Sequence, residues 1–198
     1  MPVVAVTGSI CSGKSTVLRI LREKGAKTVS LDRWVHRYYR DRKSIVYRKI
    51  KKIFPGVFNC RGVILRKRLG RIVFSNYRLL KRLEDIVHPV IIRDLKRWIS
   101  CKNHQRKVYV VEKPLLFEKN LEDIFDSVVL VSASQSNLVK RIRKKFNVSK
   151  EEAKRRLSYF TSVEEKKKKA DFVIDNNCSL FDLKKKVGVI WQRLKRGE

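Results

Sequence analysis

No run in this chain approaches the roughly 20 consecutive apolar residues that a membrane-spanning helix requires, so no membrane span is expected. An apolar segment already begins at Val3, which leaves no room for a leader peptide, and a cytoplasmic location is the expectation. Cysteine is scarce: Cys11, Cys60, Cys101 and Cys178 stand apart, with no CxxC pair and no neighbouring histidine cluster. That scatter argues against a structural zinc site and against a disulfide framework. Internal repeats and low-complexity linkers are absent, and 198 residues with 43% hydrophobic content suit one domain with its own core. Acidic residues are the largest deficit. Nineteen Asp and Glu face 49 Lys and Arg, a net charge of +30.

A field of that size attracts polyanions nonspecifically, whether nucleic acid, phosphorylated metabolites or anionic lipid. The basic residues nevertheless run along the whole chain instead of forming a tail. Arg66–Arg68, Arg141–Lys145 and Lys166–Lys169 fall in helical patterns, where solvated faces are the plainer reading. Aromatic residues do not alternate with them as a single-strand stacking platform requires.

Five short apolar segments read as strands: Val3–Val6, Lys27–Leu31, Val108–Val111, Val128–Val131 and Phe172–Ile174. The second is the weakest, with only Val29 and Leu31 strongly apolar. Helically spaced stretches separate them, which predicts a parallel sheet covered on both faces, a three-layer α/β domain. Residues 33–103 are too long for one crossover helix and read as a helical insertion: a segment around Trp34–Tyr39, then Ile45–Phe54, Val63–Phe74 and Leu79–Ile99, with Pro89 starting or bending a helix. Residues 138–159 read as a basic helix–break–helix, Ser149 and Glu152 forming a capping box for its second helix. The expected core is therefore about 1–32, 104–137 and 160–198.

Gly8-Ser9-Ile10-Cys11-Ser12-Gly13-Lys14-Ser15 completes the pattern GxxxxGK(S/T) between an apolar strand and a helix with apolar spacing. In that setting the glycines let successive N–H groups and the helix N-terminus converge on one anion. Lys14 then reaches the outer phosphates of a nucleoside triphosphate, and the Ser15 hydroxyl meets the accompanying magnesium. All four thiols read as reduced; Cys11 alone lies inside the loop beside a helix N-terminus, where a lowered thiol pKa makes redox sensitivity the alternative reading.

Other residues turn a nucleotide site into a reaction. Glu112 ends the third strand segment, where a carboxylate can orient Mg2+ or its waters. Asp32 ends the second, where it can accept a proton from an attacking hydroxyl or merely cap the helix that follows at Arg33. His36, one turn on, is a direct participant or a satisfied core or surface residue. The basic helix–break–helix suits a lid whose guanidinium groups meet the charge of a migrating phosphoryl group.

Further motifs follow in fixed order: Ser30-Leu31-Asp32-Arg33-Trp34-Val35-His36; Gly62 through Arg66 to Leu69; Leu83-Glu84-Asp85-Ile86-Val87-His88-Pro89; Pro114-Leu115-Leu116-Phe117-Glu118; and Ala170-Asp171-Phe172-Val173-Ile174-Asp175-Asn176. This series resembles the dephospho-coenzyme A kinase family over residues 7–176. The resemblance implies a P-loop kinase fold with a helical acceptor-binding insertion and a basic helical lid. It implies ATP-dependent phosphorylation of the 3′-hydroxyl of dephospho-coenzyme A, the last step of coenzyme A biosynthesis. Carried over by position, Thr7, Gly8, Cys11, Ser12, Gly13, Lys14, Ser15, Thr16 and Asn176 serve ATP. Asp32, Arg66, His88, Pro114 and Leu115 serve the acceptor, Lys14, Asp32 and Arg141 serve catalysis, and Ser15 and Glu112 serve Mg2+. The His88-Pro89 pair reads equally as a helix entry without ligand contact.

Several positions depart from the family pattern. Ser9 and Cys11 replace glycines, leaving the loop less freedom to reach positive φ. Ser30 replaces an acid, Lys145 replaces the second lid arginine, and Phe160 replaces a glutamine. Two other readings stay open on the residues alone: a P-loop kinase acting on a nucleoside or nucleotide, and a basic nucleic-acid-binding P-loop protein.

Overall fold

The computed structural model describes residues 2–101, 107–114, 116–158 and 162–197. Five parallel strands among them form one sheet in the order β2-β3-β1-β4-β5: β1 Val3–Thr7, β2 Lys27–Ser30, β3 Tyr109–Glu112, β4 Ser127–Ser132 and β5 Phe172–Asp175. The expected α/β class and parallel sheet are both observed. Every residue of β1 is buried, as befits a central strand covered on both faces. At the edges the pattern relaxes. Along β2 Lys27 is exposed and the rest half-buried, and β5 alternates buried Phe172 and Ile174 with exposed Val173 and Asp175. This accounts for the weak apolar signal of the second segment.

The chain divides into two compact units, one of Met1–Ser30 with Asn103–Glu198 and one of Leu31–Lys102. The first holds the sheet. Its core joins β1, β3, β4 and β5 to Val17, Leu18, Ile20 and Leu21 of α1 (Lys14–Glu23) and to Leu183, Val187, Ile190, Trp191 and Leu194 of the last helix, Leu180–Arg196. Those side chains recur at helical spacing, so each helix presents one apolar stripe.

The second unit contains α2 (Leu31–Arg40), α3 (Ile45–Ile53), α4 (Arg66–Ser75) and α5 (Tyr77–Ser100). Ser44 caps α3 through Val46 N–H, and Asn76 caps α5 through Arg78 N–H. α5 is the spine of the unit. Tyr38 donates to Asp94 at 2.7 Å, and Trp34 meets Trp98 edge to face at 6.1 Å. Pro89 neither starts nor ends α5 but lies within it, where it leaves the Asp85 carbonyl without a helical donor. His88 is therefore a mid-helix residue, and the helix-entry reading does not hold. The helix expected over Val63–Phe74 begins only at Arg66, because Ile64 bridges Phe58 in an antiparallel pair.

Returning to the first unit, α6 (Gln135–Phe146) and α7 (Lys150–Leu157) form the helix–break–helix. Asn147, at φ 51°, ends α6 in the left-handed conformation that asparagine tolerates. The capping box is half made. Ser149 accepts from Glu152 N–H at 3.1 Å, but the Glu152 carboxylate binds Arg155 and Arg156 instead of reaching back. After it comes α8 (Val163–Lys168).

Lys166 corrects the expectation of a solvated basic face. It is 1% exposed and pairs with Glu118 at 2.6 Å, the carboxylate being 14% exposed. Among the described residues no helix is long and apolar enough to cross a membrane, and no three His, Cys, Asp or Glu side chains cluster as a metal cage.

A buried charge left without its partner is costly, so Lys166→Met should lower unfolding free energy by about 3–5 kcal/mol. Lys167→Met, one residue away and partly exposed, should stay within about 0.5 kcal/mol. Urea denaturation of both variants checks this, and a Lys166→Met protein as stable as the parent would contradict the buried pair.

Candidate active site

The loop between β1 and α1 is shaped by two glycines that nothing else could replace. Gly8 has φ 144° and Gly13 φ 107°, both in the region that L side chains avoid. A Cβ on Gly8 would collide with the Val131 carbonyl oxygen, and a Cβ on Gly13 with the Asn176 amide. Gly13 serves as the N-cap of α1 without a side-chain cap, and no acid occupies the first helical turn. The N-terminus of α1 thus keeps its anion-binding character.

The rest of the loop is held from below. Asn176 Nδ2 donates to Ser12 O at 2.7 Å, and Asn176 N donates to Ser132 O at 2.8 Å. Arg141 of α6 donates to the Asn176 carbonyl at 2.9 Å and to the carbonyls of Cys11 and Ser12 at 3.5 Å. Drawing the Ser12 carbonyl toward α6 and β5 turns the following N–H the opposite way, since both lie on one peptide plane. Thr7 Oγ1 donates to Pro114 O at 3.2 Å, tying the loop to the Pro114–Glu118 motif. Ser12 Oγ is buried without a hydrogen-bond partner among the described residues.

Lys14 is 7% exposed, and its Nζ donates to Gly8 O at 2.9 Å and Ser9 O at 2.8 Å. The ammonium therefore lies over the loop it belongs to. Glu112 is half-buried and in register with Val6 of β1 and Ser30 of β2, at the carboxyl edge of the sheet from which the loop departs. Ser15 is exposed at the first turn of α1. Mg2+ characteristically takes one or two protein ligands beside nucleotide phosphates and water. One hydroxyl and one carboxylate are a donor set of that kind.

The two replaced glycines behave differently. Ser9 has no positive φ and incurs no backbone strain, whereas Cys11 sits at φ 59°. Left-handed backbone costs a non-glycine residue roughly 1–2 kcal/mol. Ile10 and Cys11 pack against Val139 and Ile142 of α6 and Ala153 of α7, which offsets part of that cost. This contact joins the loop to α6 and α7, and no motif in the sequence marks it.

In the second unit Asp32, His36 and Tyr39 share one face of α2. Asp32 does not end a strand, nor does it cap a helix: β2 stops at Ser30, α2 begins at Leu31, and Asp32 lies in its first turn. Arg66 Nη1 approaches His36 Nε2 at 2.8 Å and Nδ1 at 3.0 Å. A guanidinium can only donate, so the imidazole it meets is neutral. Burial holds the His36 pKa below its ordinary value, Arg66 lowers it further, and Asp32 opposes them. Tyr39 is pushed up to about 12, first by burial and then by the Asp32 charge. Tyr39 was not singled out from the sequence; its place seven residues after Asp32, on the same helical face, is the signal that could have found it. Leu115 and Phe160 lie outside the described residues.

A protein-family model described as dephospho-CoA kinase matches residues 2–182. The dephospho-CoA kinase of Symbiobacterium thermophilum is 33% identical over 199 residues, covering 100% of this chain and 83% of its own. A solved dephospho-CoA kinase from Campylobacter jejuni is 31% identical with a TM-score of 0.67, covering 98% of this chain and 97% of its own. The crystal structure of TT1252 from Thermus thermophilus reaches 33% identity and a TM-score of 0.80, covering 97% of each chain.

Two measurements follow from this geometry. Gly8→Ala should abolish nucleotide binding or folding, because the opposing atom is backbone, while Gly56→Ala, which meets nothing within 4 Å, should retain ATP binding by calorimetry. In an NMR titration His36 should change charge below pH 6.5, and Arg66→Met should move its midpoint upward. With its folded pKa depressed, His36 contributes stability that is complete above pH 6.5 and lost as pH falls through the lower folded value. A midpoint at or above 6.5 would contradict the assigned contact.

The glycine-shaped cradle, its lysine and the matched motifs lead to one statement: this chain belongs to the dephospho-CoA kinase family.

Proposed function

We infer that this chain transfers the γ-phosphoryl group of ATP to the 3′-hydroxyl of dephospho-coenzyme A, giving coenzyme A and ADP. The observation that carries the reading is the family match over residues 2–182, which includes every motif from the phosphate loop to Asn176. The fold and the loop supply the chemistry such an enzyme needs.

In this reading residues Gly8–Thr16 cradle the ATP phosphates on backbone N–H groups. Lys14 is already confined to the loop, and its charge stabilises the outer phosphates as negative charge shifts between them. Ser15 and Glu112 would hold Mg2+, Glu112 directly or through water, and the ion would supply positive charge to the ATP phosphates. Asp32 accepts the proton of the attacking ribose hydroxyl and keeps that oxygen aligned for in-line transfer.

Arg141 and Asn176 act mainly through the loop. The Asn176 amide is committed to Ser12 O, so it serves ATP by fixing the cradle rather than by contacting it. Arg141 holds three carbonyls of the same frame and brings its guanidinium charge to the phosphate region as the lid closes. Arg66 suits the acceptor's pyrophosphate, which a guanidinium meets with two parallel hydrogen bonds. The neutral His36 beneath it holds the guanidinium in place without adding charge. His88, Pro114 and Leu115 complete the acceptor side of this reading.

A coupled ADP-release assay tests the reading with dephospho-coenzyme A, nucleoside monophosphates and oligonucleotides supplied in turn. Release is expected with dephospho-coenzyme A alone; release only with another acceptor would overturn the assignment. Lys14→Ala should lower turnover by on the order of 100-fold or more. Asp32→Asn should lower kcat by on the order of 100-fold while ATP affinity stays within about twofold. Near-normal turnover of Asp32→Asn would move the base elsewhere.

A further inference from the structure

The second unit carries a cationic cleft that the proposed reaction does not use. It encloses about 450 Å3, within the roughly 300–1,000 Å3 typical of small-molecule sites. Arg42, Arg48, Lys51 and Arg61 line it together with Tyr47 and Gly62, and no carboxylate does. Among the described residues none of the four cations has a carboxylate within ion-pair distance. Asp41, the acid nearest in sequence, accepts from the Lys43 backbone N–H at 2.9 Å.

The cluster is built on a fixed frame, unlike a chance meeting of mobile side chains. Tyr47 of α3 is 5% exposed, its ring meets Phe58 edge to face at 5.3 Å, and its hydroxyl donates to Gly62 O at 2.6 Å. Arg42 donates to the Arg61 carbonyl, so one guanidinium is anchored to the loop that bears the other. Asn59 Oδ1 accepts from the N–H groups of Arg61 and Val63 at 3.1 and 2.8 Å. Gly62, at φ 73°, permits the close approach, since a Cβ there would lie 3.1 Å from the Tyr47 hydroxyl. Arg48 and Lys51 are neighbours one turn apart on α3, a like-charge pair that weakens a helix. Three segments therefore bring like charges to one concavity and hold them there against their mutual repulsion.

We propose that this cleft is a second anion site that binds the diphosphate group of a small metabolite. Planar guanidinium groups engage neighbouring phosphate oxygens in pairs, and a diphosphate carries enough charge to relieve the repulsion of four cations. A nucleic-acid strand fits less well. Its bases need an exposed aromatic surface for stacking, and the one aromatic ring here is buried with its hydroxyl committed. The site stands independently of the acceptor assignment.

The test is isothermal titration of the full chain with inorganic pyrophosphate, in the Lys14→Ala background to silence the phosphate loop. Pyrophosphate should bind that protein, and Arg42→Gln/Arg61→Gln should weaken binding by roughly tenfold or more. A control pair of exposed cations on α5, Lys81→Gln/Lys96→Gln, should leave affinity within about threefold, screening being strong between distant surface charges. Competition by ADP and by dephospho-coenzyme A, each against pyrophosphate, then assigns the source of the diphosphate. Arg48→Gln, whose side chain makes no hydrogen bond to the frame, should also weaken binding and serves if the double variant fails to fold. The proposal is overturned if pyrophosphate does not bind the Lys14→Ala protein. It also fails if the control pair loses as much affinity as the cleft variants, or if Arg48→Gln and the double variant weaken only oligonucleotide binding.

Discussion

The close approach of backbone to backbone at Gly8 is the constraint on which the site depends. β1 must run past β4 near enough for the Gly8 Cα to face the Val131 carbonyl, and only then can the chain curl into a cradle ending at α1. Gly13 repeats the condition at the other end against Asn176. Between them the loop carbonyls point toward Arg141 and Asn176, and the helix N-terminus is left uncapped by any side chain. Each of these contacts crosses more than 30 residues of sequence. A parallel sheet with its loops gathered on one edge is the architecture that brings them together.

Cationic residues play distinct roles within each unit. Lys14 is enclosed by the loop, Arg141 buttresses it, and Lys166 forms a buried pair with Glu118 of the Pro114–Glu118 motif. Arg66 is matched to a neutral histidine, which leaves its charge undiminished. Arg42, Arg48, Lys51 and Arg61 share a cleft. The net charge of +30 is thus composed of several local arrangements rather than one uniform field.

Much of this was legible in the sequence. The strands were readable because central parallel strands are continuously apolar, and the loop because its glycines, lysine and serine stand at fixed spacing between a strand and a helix. Less legible were features that depend on distant residues. Lys166 lies in a run of four lysines, and nothing in that run marks one as buried; its partner is 48 residues away in sequence. Of the two replaced glycines only Cys11 adopts positive φ, and it packs on α6 and α7, helices more than 120 residues away in sequence. The first turn of α2 also escaped local reading. Apolar Leu31 looked like the end of a strand, yet it is buried as the first residue of a helix, which moves Asp32 from a strand tip to a helical face.

What unites these features is the claim that a glycine-shaped phosphate cradle in this chain serves transfer to a ribose hydroxyl, not hydrolysis. Phosphorus NMR of the products formed from ATP and dephospho-coenzyme A tests it most directly. The account predicts a new phosphomonoester resonance on the acceptor, growing in equal measure with ADP. Inorganic phosphate appearing with ADP while the acceptor stays unmodified would contradict it.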